Sequence, residues 1–134
     1  MSPHSFAVSL RNVLSSVHQD IHVFVPVSTE YRIEYPYLLL NLTTDEERIP
    51  RNDTWSCTLE VQLHTNAYDV GGVSARDAFS RVCDELETPE LRKAVNNVAE
   101  DFYLYRMALV SVDEPQVQDD VFTQSARFRV LLQF

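Results

Sequence analysis

TWSCTLEVQLHT, residues 54–65, alternates between apolar and polar side chains with a period of two. Successive side chains of a β-strand point to opposite faces, so this pattern predicts a long strand with one buried and one solvated face. Related patterns cover residues 102–112 and 122–134; in the first of these, strict alternation puts Leu104 and Met107 on opposite faces. The chain is therefore expected to be built around an open antiparallel sheet.

Amphipathic helices are predicted between the strands. Residues 5–17 place apolar side chains at the spacing of a stripe that faces a core. Residues 75–86 do the same, and Ser74 before them has the character of an N-cap. Residues 90–99 predict a further short helix whose inward-facing side chains are Leu91, Val95 and Val98.

The order of these elements indicates one α+β domain spanning residues 1–134. We expect an antiparallel, mixed-order sheet of about four to five strands, with two main helices packed on one face. The chain is 45% hydrophobic, which is sufficient for a core in a domain of this size. Cys57 and Cys83 fall on predicted apolar faces, so both are expected to be buried core residues.

The chain is acidic, with 11 basic and 20 acidic residues and a formal net charge of −9. Proteins that wrap nucleic acid need a surplus of Lys and Arg to replace counterions, so specific DNA binding is not expected. An acidic surface would instead repel the DNA polyanion, so that DNA could slide past it without binding. Residues 1–10 have no signal-like apolar region, and no apolar run approaches about 18 residues, so neither a signal peptide nor a membrane span is expected.

Sequence motifs of catalysis and ligand binding are missing. The chain has no G-x-G-x-x-G, Walker loop, H-E-x-x-H or C-x-x-C, and its 2 glycines argue against a backbone phosphate cradle. His18 and His22 have no carboxylate at a matching spacing and do not predict a metal site. His64, on the polar side of the long strand, is expected to be a solvated imidazole. We therefore expect no catalytic residue, metal or cofactor.

Two polar loops and the polar face of the long strand are candidate interaction surfaces. Residues 43–53 form a predicted loop longer than the usual hairpin connection, which is either a solvated tip or an arm that docks on a neighbouring subunit. Residues 113–120 form an acidic loop without the spacing of a calcium site. The candidate interface residues are Asp45, Glu46, Glu47, Arg48, Arg51, Asp53, Glu60, Gln62, Asp119 and Asp120.

The order of elements also carries a family resemblance. An amphipathic first helix is followed by YPYLLL (residues 35–40) and by the strand that Trp55 leads. A helix then follows Gly71 and Gly72, and a closing strand ends in ARFRVLLQF (residues 126–134). In the order of its elements the chain resembles the tail terminator family of long-tailed bacteriophages. The members of that family are also called tail-completion or minor-tail-protein-U-like proteins. The additional helical segment and the acidic balance depart from that family.

The resemblance implies a structural virion protein and not an enzyme. Members of that family form a hexameric ring that caps the head-proximal end of the tail tube, stops its growth and joins the tail to the head. The implied partners are further copies of the chain, the tail tube protein and a neck or connector protein. DNA would pass through the lumen without specific binding, and the virion would be assembled in the host cytoplasm. The candidate interface residues would then contact a sister subunit or the tube.

Two other interpretations remain open. The chain could be a neck or connector ring, or a tube adaptor, of the same head–tail junction. It could also be a dimeric α+β ligand-binding module outside any virion. The pattern of residues does not separate these from a tail terminator.

Overall fold

A computed structural model of the chain describes residues 3–26, 34–49, 54–66, 69–70 and 72–133. The elements, in chain order, are α1 (Pro3–Val17), β1 (His22–Phe24), β2 (Tyr37–Ile49), β3 (Thr54–Thr65), β4 (Asp69–Val70), β5 (Val73–Ser74), α2 (Ala75–Leu86), α3 (Pro89–Val98), β6 (Tyr103–Val112), β7 (Gln116–Gln118) and β8 (Val121–Gln133).

The main sheet has the strand order β1-β2-β3-β8-β6, and β7 pairs with the beginning of β8. β1 and β2 run parallel, whereas the other pairs of this sheet are antiparallel. β3 is central and pairs along its whole length with β8. The predicted α+β class is confirmed, and α3 is the short helix predicted for residues 90–99. Within the described residues the main sheet has six strands, where about four to five were expected.

The hydrophobic core lies between the helices and one face of the sheet. The predicted apolar positions of β3 point into it, where Leu59 and Val61 pack with Phe128 of β8 and are fully buried. Phe6 of α1 and Phe79 of α2 close the core from the helical side. Trp55 is half-buried against the same cluster. The alternation predicted for residues 54–65 is therefore confirmed.

Side-chain caps fix where α2 and α3 begin. The Oγ of Ser74 accepts a hydrogen bond from the backbone N–H of Asp77 at 3.1 Å, which confirms the predicted N-cap. Thr88 caps α3 by accepting from the N–H of Leu91 at 3.2 Å, and Pro89 occupies the first turn. The Thr88 hydroxyl also donates to the carbonyl of Glu85 at 2.8 Å, so one side chain joins the end of α2 to the beginning of α3.

Two predicted loops contain strands. Residues 43–49 were expected to be a polar loop, but they continue β2 as far as Ile49, with an irregular register between Thr44 and Arg48. The long strand β3 offers backbone partners over its full length, and this pairing stabilises a polar segment that lacks its own apolar pattern. The acidic segment 113–120 contains β7 for the same reason, since it folds back onto β8.

Two predicted faces are also wrong. Leu104 and Met107 are both buried, because a register shift between Leu104 and Arg106 inserts an extra residue and turns the following side chains over. Val98 does not face inward: it is exposed at the last turn of α3, beyond the end of the apolar stripe formed by Leu91 and Val95.

Candidate subunit interface

The solvent face of the sheet consists of the residues of β2, β3, β8 and β6 that point away from the helices. Glu60 and Gln62 lie on this face, as their alternation with buried residues predicts. Glu60 is the register partner of Arg127 on β8, and its carboxylate lies 3.6 Å from the Arg127 Nε. The side-chain amide of Gln62 donates to the Glu60 carboxylate. The two candidate residues of β3 are thus linked to each other and to β8.

His64 continues this row of polar contacts. Its Nε2 lies 3.1 Å from the Oε1 of Gln62, and its Nδ1 lies 3.3 Å from the hydroxyl of Thr123. The Tyr37 ring stacks on the imidazole with centroids 4.6 Å apart. Burial lowers the pKa of His64. The expectation of a solvated imidazole is therefore wrong, because this ring is half-buried and has partners on two neighbouring strands.

The protonation of His64 predicts how stability depends on pH. We expect the free energy of unfolding to fall as the pH drops below about 6.5, since the unfolded chain takes up a proton that the folded chain resists. Chemical denaturation of the wild type and of His64→Gln at about pH 7.5 and 5.5 measures the effect. His18 shifts in the same direction through burial and stays in both proteins, so the difference between them isolates His64. Identical pH dependence in the two proteins would contradict this role.

Three arginines form a stripe on the solvent face of β6 and β8. Arg127 and Arg129 alternate with buried residues of β8, and both are exposed. Arg106 of β6 is the register partner of Leu131, which places it on the same face, and it is also exposed. We call Arg106, Arg127 and Arg129 the arginine stripe. This positive surface belongs to a chain whose formal net charge is −9.

Asp119 and Asp120 form the tip of the hairpin between β7 and β8. The pair Gln118–Val121 closes a two-residue turn, and the two aspartates adopt φ values of 53° and 62°. Both residues lie in the left-handed region that tight hairpin turns require. Two further exposed acids stand in the preceding connection, where the Asp113 carboxylate accepts from the Ser125 hydroxyl at 3.1 Å. We call Asp119 and Asp120 the acidic tip.

Side chains of the helical layer cover the outer edge of β6. The Asn96 amide donates to the carbonyl of Leu104 at 3.0 Å and accepts from its N–H at 2.7 Å, as a paired strand would. Arg92 donates to the carbonyl of Tyr105 at 3.4 Å, and the Glu87 carboxylate accepts from the N–H of Leu109 at 3.3 Å. At the opposite side of the sheet, β1 pairs only with residues 37–39 of β2. The edge of β6 is therefore a poor template for strand addition.

The remaining candidate residues do not join these surfaces. The backbone of residues 45–48 lies in β2, with Arg48 opposite Trp55, and Arg51 and Asp53 lie outside the described residues. Glu60 and Gln62 come together, whereas Asp119 and Asp120 stand at the tip of a different hairpin. An interface role for these ten residues remains a prediction. The sequence did not lead us to Arg106, Arg127, Arg129 or Asn96 as candidate interface residues.

The described residues offer little for chemistry. Among them, no group of three or more His, Cys, Asp or Glu side chains could hold a metal ion. Cys57 and Cys83 are buried, as predicted, and neither forms a disulfide. Burial, with smaller contributions from Asp84 and Glu87, raises the pKa of the Cys83 thiol to about 12, so it stays protonated and weakly nucleophilic. None of the described helices has both the length and the apolar character needed to cross a bilayer.

A solved virion structure contains a chain of similar fold. That chain belongs to the virion of a native gene transfer agent (GTA) particle and aligns with a TM-score of 0.60 at 14% sequence identity. The alignment covers 96% of this chain and 92% of that chain. At this level of identity the likeness shows the fold. No protein-family model and no curated protein matches the sequence.

Proposed function

We propose that the chain is a structural protein of a phage-like virion, where it forms a hexameric ring at the head-proximal end of a tail. The ring ends growth of the tail tube and joins the tail to the head, and the protein is not an enzyme. The observation that carries the proposal is the fold shared with a virion component over nearly the whole of both chains. The order of helices and strands, which resembles tail terminators, supplies the more specific role.

The surface of the molecule supports a role in assembly. Its partly polar sheet face carries a row of side chains tied across neighbouring strands, including Glu60, Gln62 and Arg127. The Asn96 side chain occupies both backbone groups of Leu104 at the edge of β6, so copies would meet on that side through side chains and not by extending the sheet. The net charge of −9 per copy suits a channel through which DNA passes without binding. The partners would be sister copies, a tail tube protein and a neck or connector protein.

Ring formation and tail length test the proposal together. We expect negative-stain images of the purified protein to show six-membered rings, and light scattering to give the mass of six chains. Removing the gene from the particle that encodes it should yield tails of uncontrolled length that do not join filled heads. A stable dimer without rings, or tails of normal length joined to heads in the deletion, would contradict the proposal.

The same virion neighbour also fits a second position at the junction, a neck or connector ring or a tube adaptor. These roles differ in what the deletion changes. A connector's absence leaves tails of normal length that stay unattached to heads. Loss of length control therefore distinguishes a terminator from a connector.

A further inference from the structure

We propose that the arginine stripe docks against the acidic tip of a second copy of this chain. The proposal rests on the ring function above and names the contact by which neighbouring copies would meet. The two surfaces lie on different parts of the molecule, one on the solvent face of β6 and β8 and one at the end of the β7–β8 hairpin.

The solvent face is the broad surface of the sheet left for such a contact. The three helices pack on the opposite face, where the buried residues of β3 and β8 join their core. Addition of a strand at β6 would have to displace Asn96, which already satisfies both backbone groups of Leu104. At β6, contact between side chains on the face is therefore favoured over pairing of strand edges.

The charge of the stripe favours a second copy of this chain as its binding partner. Arg106, Arg127 and Arg129 are exposed on one side of an acidic protein, so the surface is complementary to other parts of the same chain. The acidic tip supplies that complement, because a two-residue turn with fixed backbone geometry presents Asp119 and Asp120 side by side at its end. A second copy therefore carries the charge that the stripe needs.

The surroundings of the stripe favour a protein over DNA. Tyr105 and Tyr103 lie half-exposed beside it with ring centroids 4.9 Å apart, and the half-buried Leu131 is the register partner of Arg106. Tyrosine and arginine next to apolar side chains are typical of protein interfaces. Arg127 is also paired with Glu60, which leaves less charge for phosphates than duplex binding uses.

The arrangement has a geometric consequence. Because stripe and tip are different patches, each copy can bind one neighbour through its stripe and another through its tip. Such a heterologous contact produces a closed ring when the rotation between copies divides a full turn, and otherwise a filament. The proposed contact is thus compatible with a ring of any size, and the hexamer is a separate question.

Two charge reversals, studied alone and mixed, test the contact. Arg129→Glu alters the stripe, and Asp119→Lys with Asp120→Lys alters the tip; all three side chains are exposed. Asp119→Asn with Asp120→Asn is measured beside them, because it removes the charge of the tip with residues that suit the left-handed turn. We expect each protein alone to associate at least about tenfold more weakly than the wild type in sedimentation velocity. In the mixture, the unaltered stripe of the tip variant meets the unaltered tip of the stripe variant, so association should return as pairs of the two proteins. Arg81→Glu, the same charge change on exposed α2, should associate like the wild type.

Several results would overturn the contact. Undiminished association of either charge variant, no recovery on mixing, or a wild type that remains monomeric at high concentration and low salt would each contradict it. Salt-sensitive binding of duplex DNA that Arg129→Glu abolishes would assign the stripe to nucleic acid instead. Rings that persist in both variants would reject this contact and leave the ring function standing. Wild-type filaments in place of rings, lost in both variants, would support the contact and reject the hexameric ring.

Discussion

Leu59→Ala is expected to lower the free energy of unfolding by about 2–5 kcal/mol, as large-to-small changes in a packed core do. Leu59 is fully buried in the central strand, and its register partners are Leu42 on β2 and Phe128 on β8. Removal of its isopropyl group leaves a cavity that two paired strands cannot readily collapse, because their backbones are held in register. Urea denaturation with linear extrapolation measures the loss.

Leu39→Ala is the matched control for this prediction. Leu39 lies in β2, next to buried Leu38 and Leu40, but it pairs with Gln62 and so belongs to the solvent face. The same atoms are deleted from a half-buried site, so we expect a cost of less than about 1.5 kcal/mol. A cost below about 0.5 kcal/mol for Leu59→Ala, or a larger cost for Leu39→Ala, would show that the two faces of the sheet are assigned the wrong way round.

The sequence predicts those helices and strands whose apolar residues repeat with the period of a helix or a strand. β3 alternates because one of its faces is buried along its length, and α2 repeats its apolar residues at helical spacing behind the Ser74 cap. The polar half of β2 lacks such a pattern. It is a strand because β3 pairs with it, and that contact lies between segments and not within either of them.

Only part of the candidate interface could be predicted from the sequence. Glu60 and Gln62 follow from the alternation of β3, and Arg127 and Arg129 alternate with the buried residues of β8 in the same way. Arg106 joins them because of the register shift in β6, which no periodicity reveals. The role of Asn96 is harder still to predict. A pattern of apolar residues identifies the inner face of a helix, but it does not identify the backbone groups to which the polar side chains of that helix bind.

Asn96→Ala is expected to cost about 1–3 kcal/mol, the range for leaving buried hydrogen-bonding groups without partners. The Asn96 side chain bonds both the N–H and the carbonyl of Leu104, a fully buried residue near the beginning of β6. Alanine keeps the helix propensity high, so the loss reports the two hydrogen bonds and not a weaker helix. Chemical denaturation measures the cost, and hydrogen exchange should show faster exchange at the Leu104 amide.

Asn97→Ala provides the control from the next residue of the same helix. Asn97 is exposed, so its replacement is expected to change stability by no more than about 0.5 kcal/mol. Asn96→Asp separates the two bonds, because a carboxylate still accepts from the Leu104 N–H but cannot donate to its carbonyl. If Asn96 also blocks strand addition at this edge, Asn96→Ala will aggregate at protein concentrations where Asn97→Ala does not. Equal stability and equal solubility of the two alanine variants would contradict both roles.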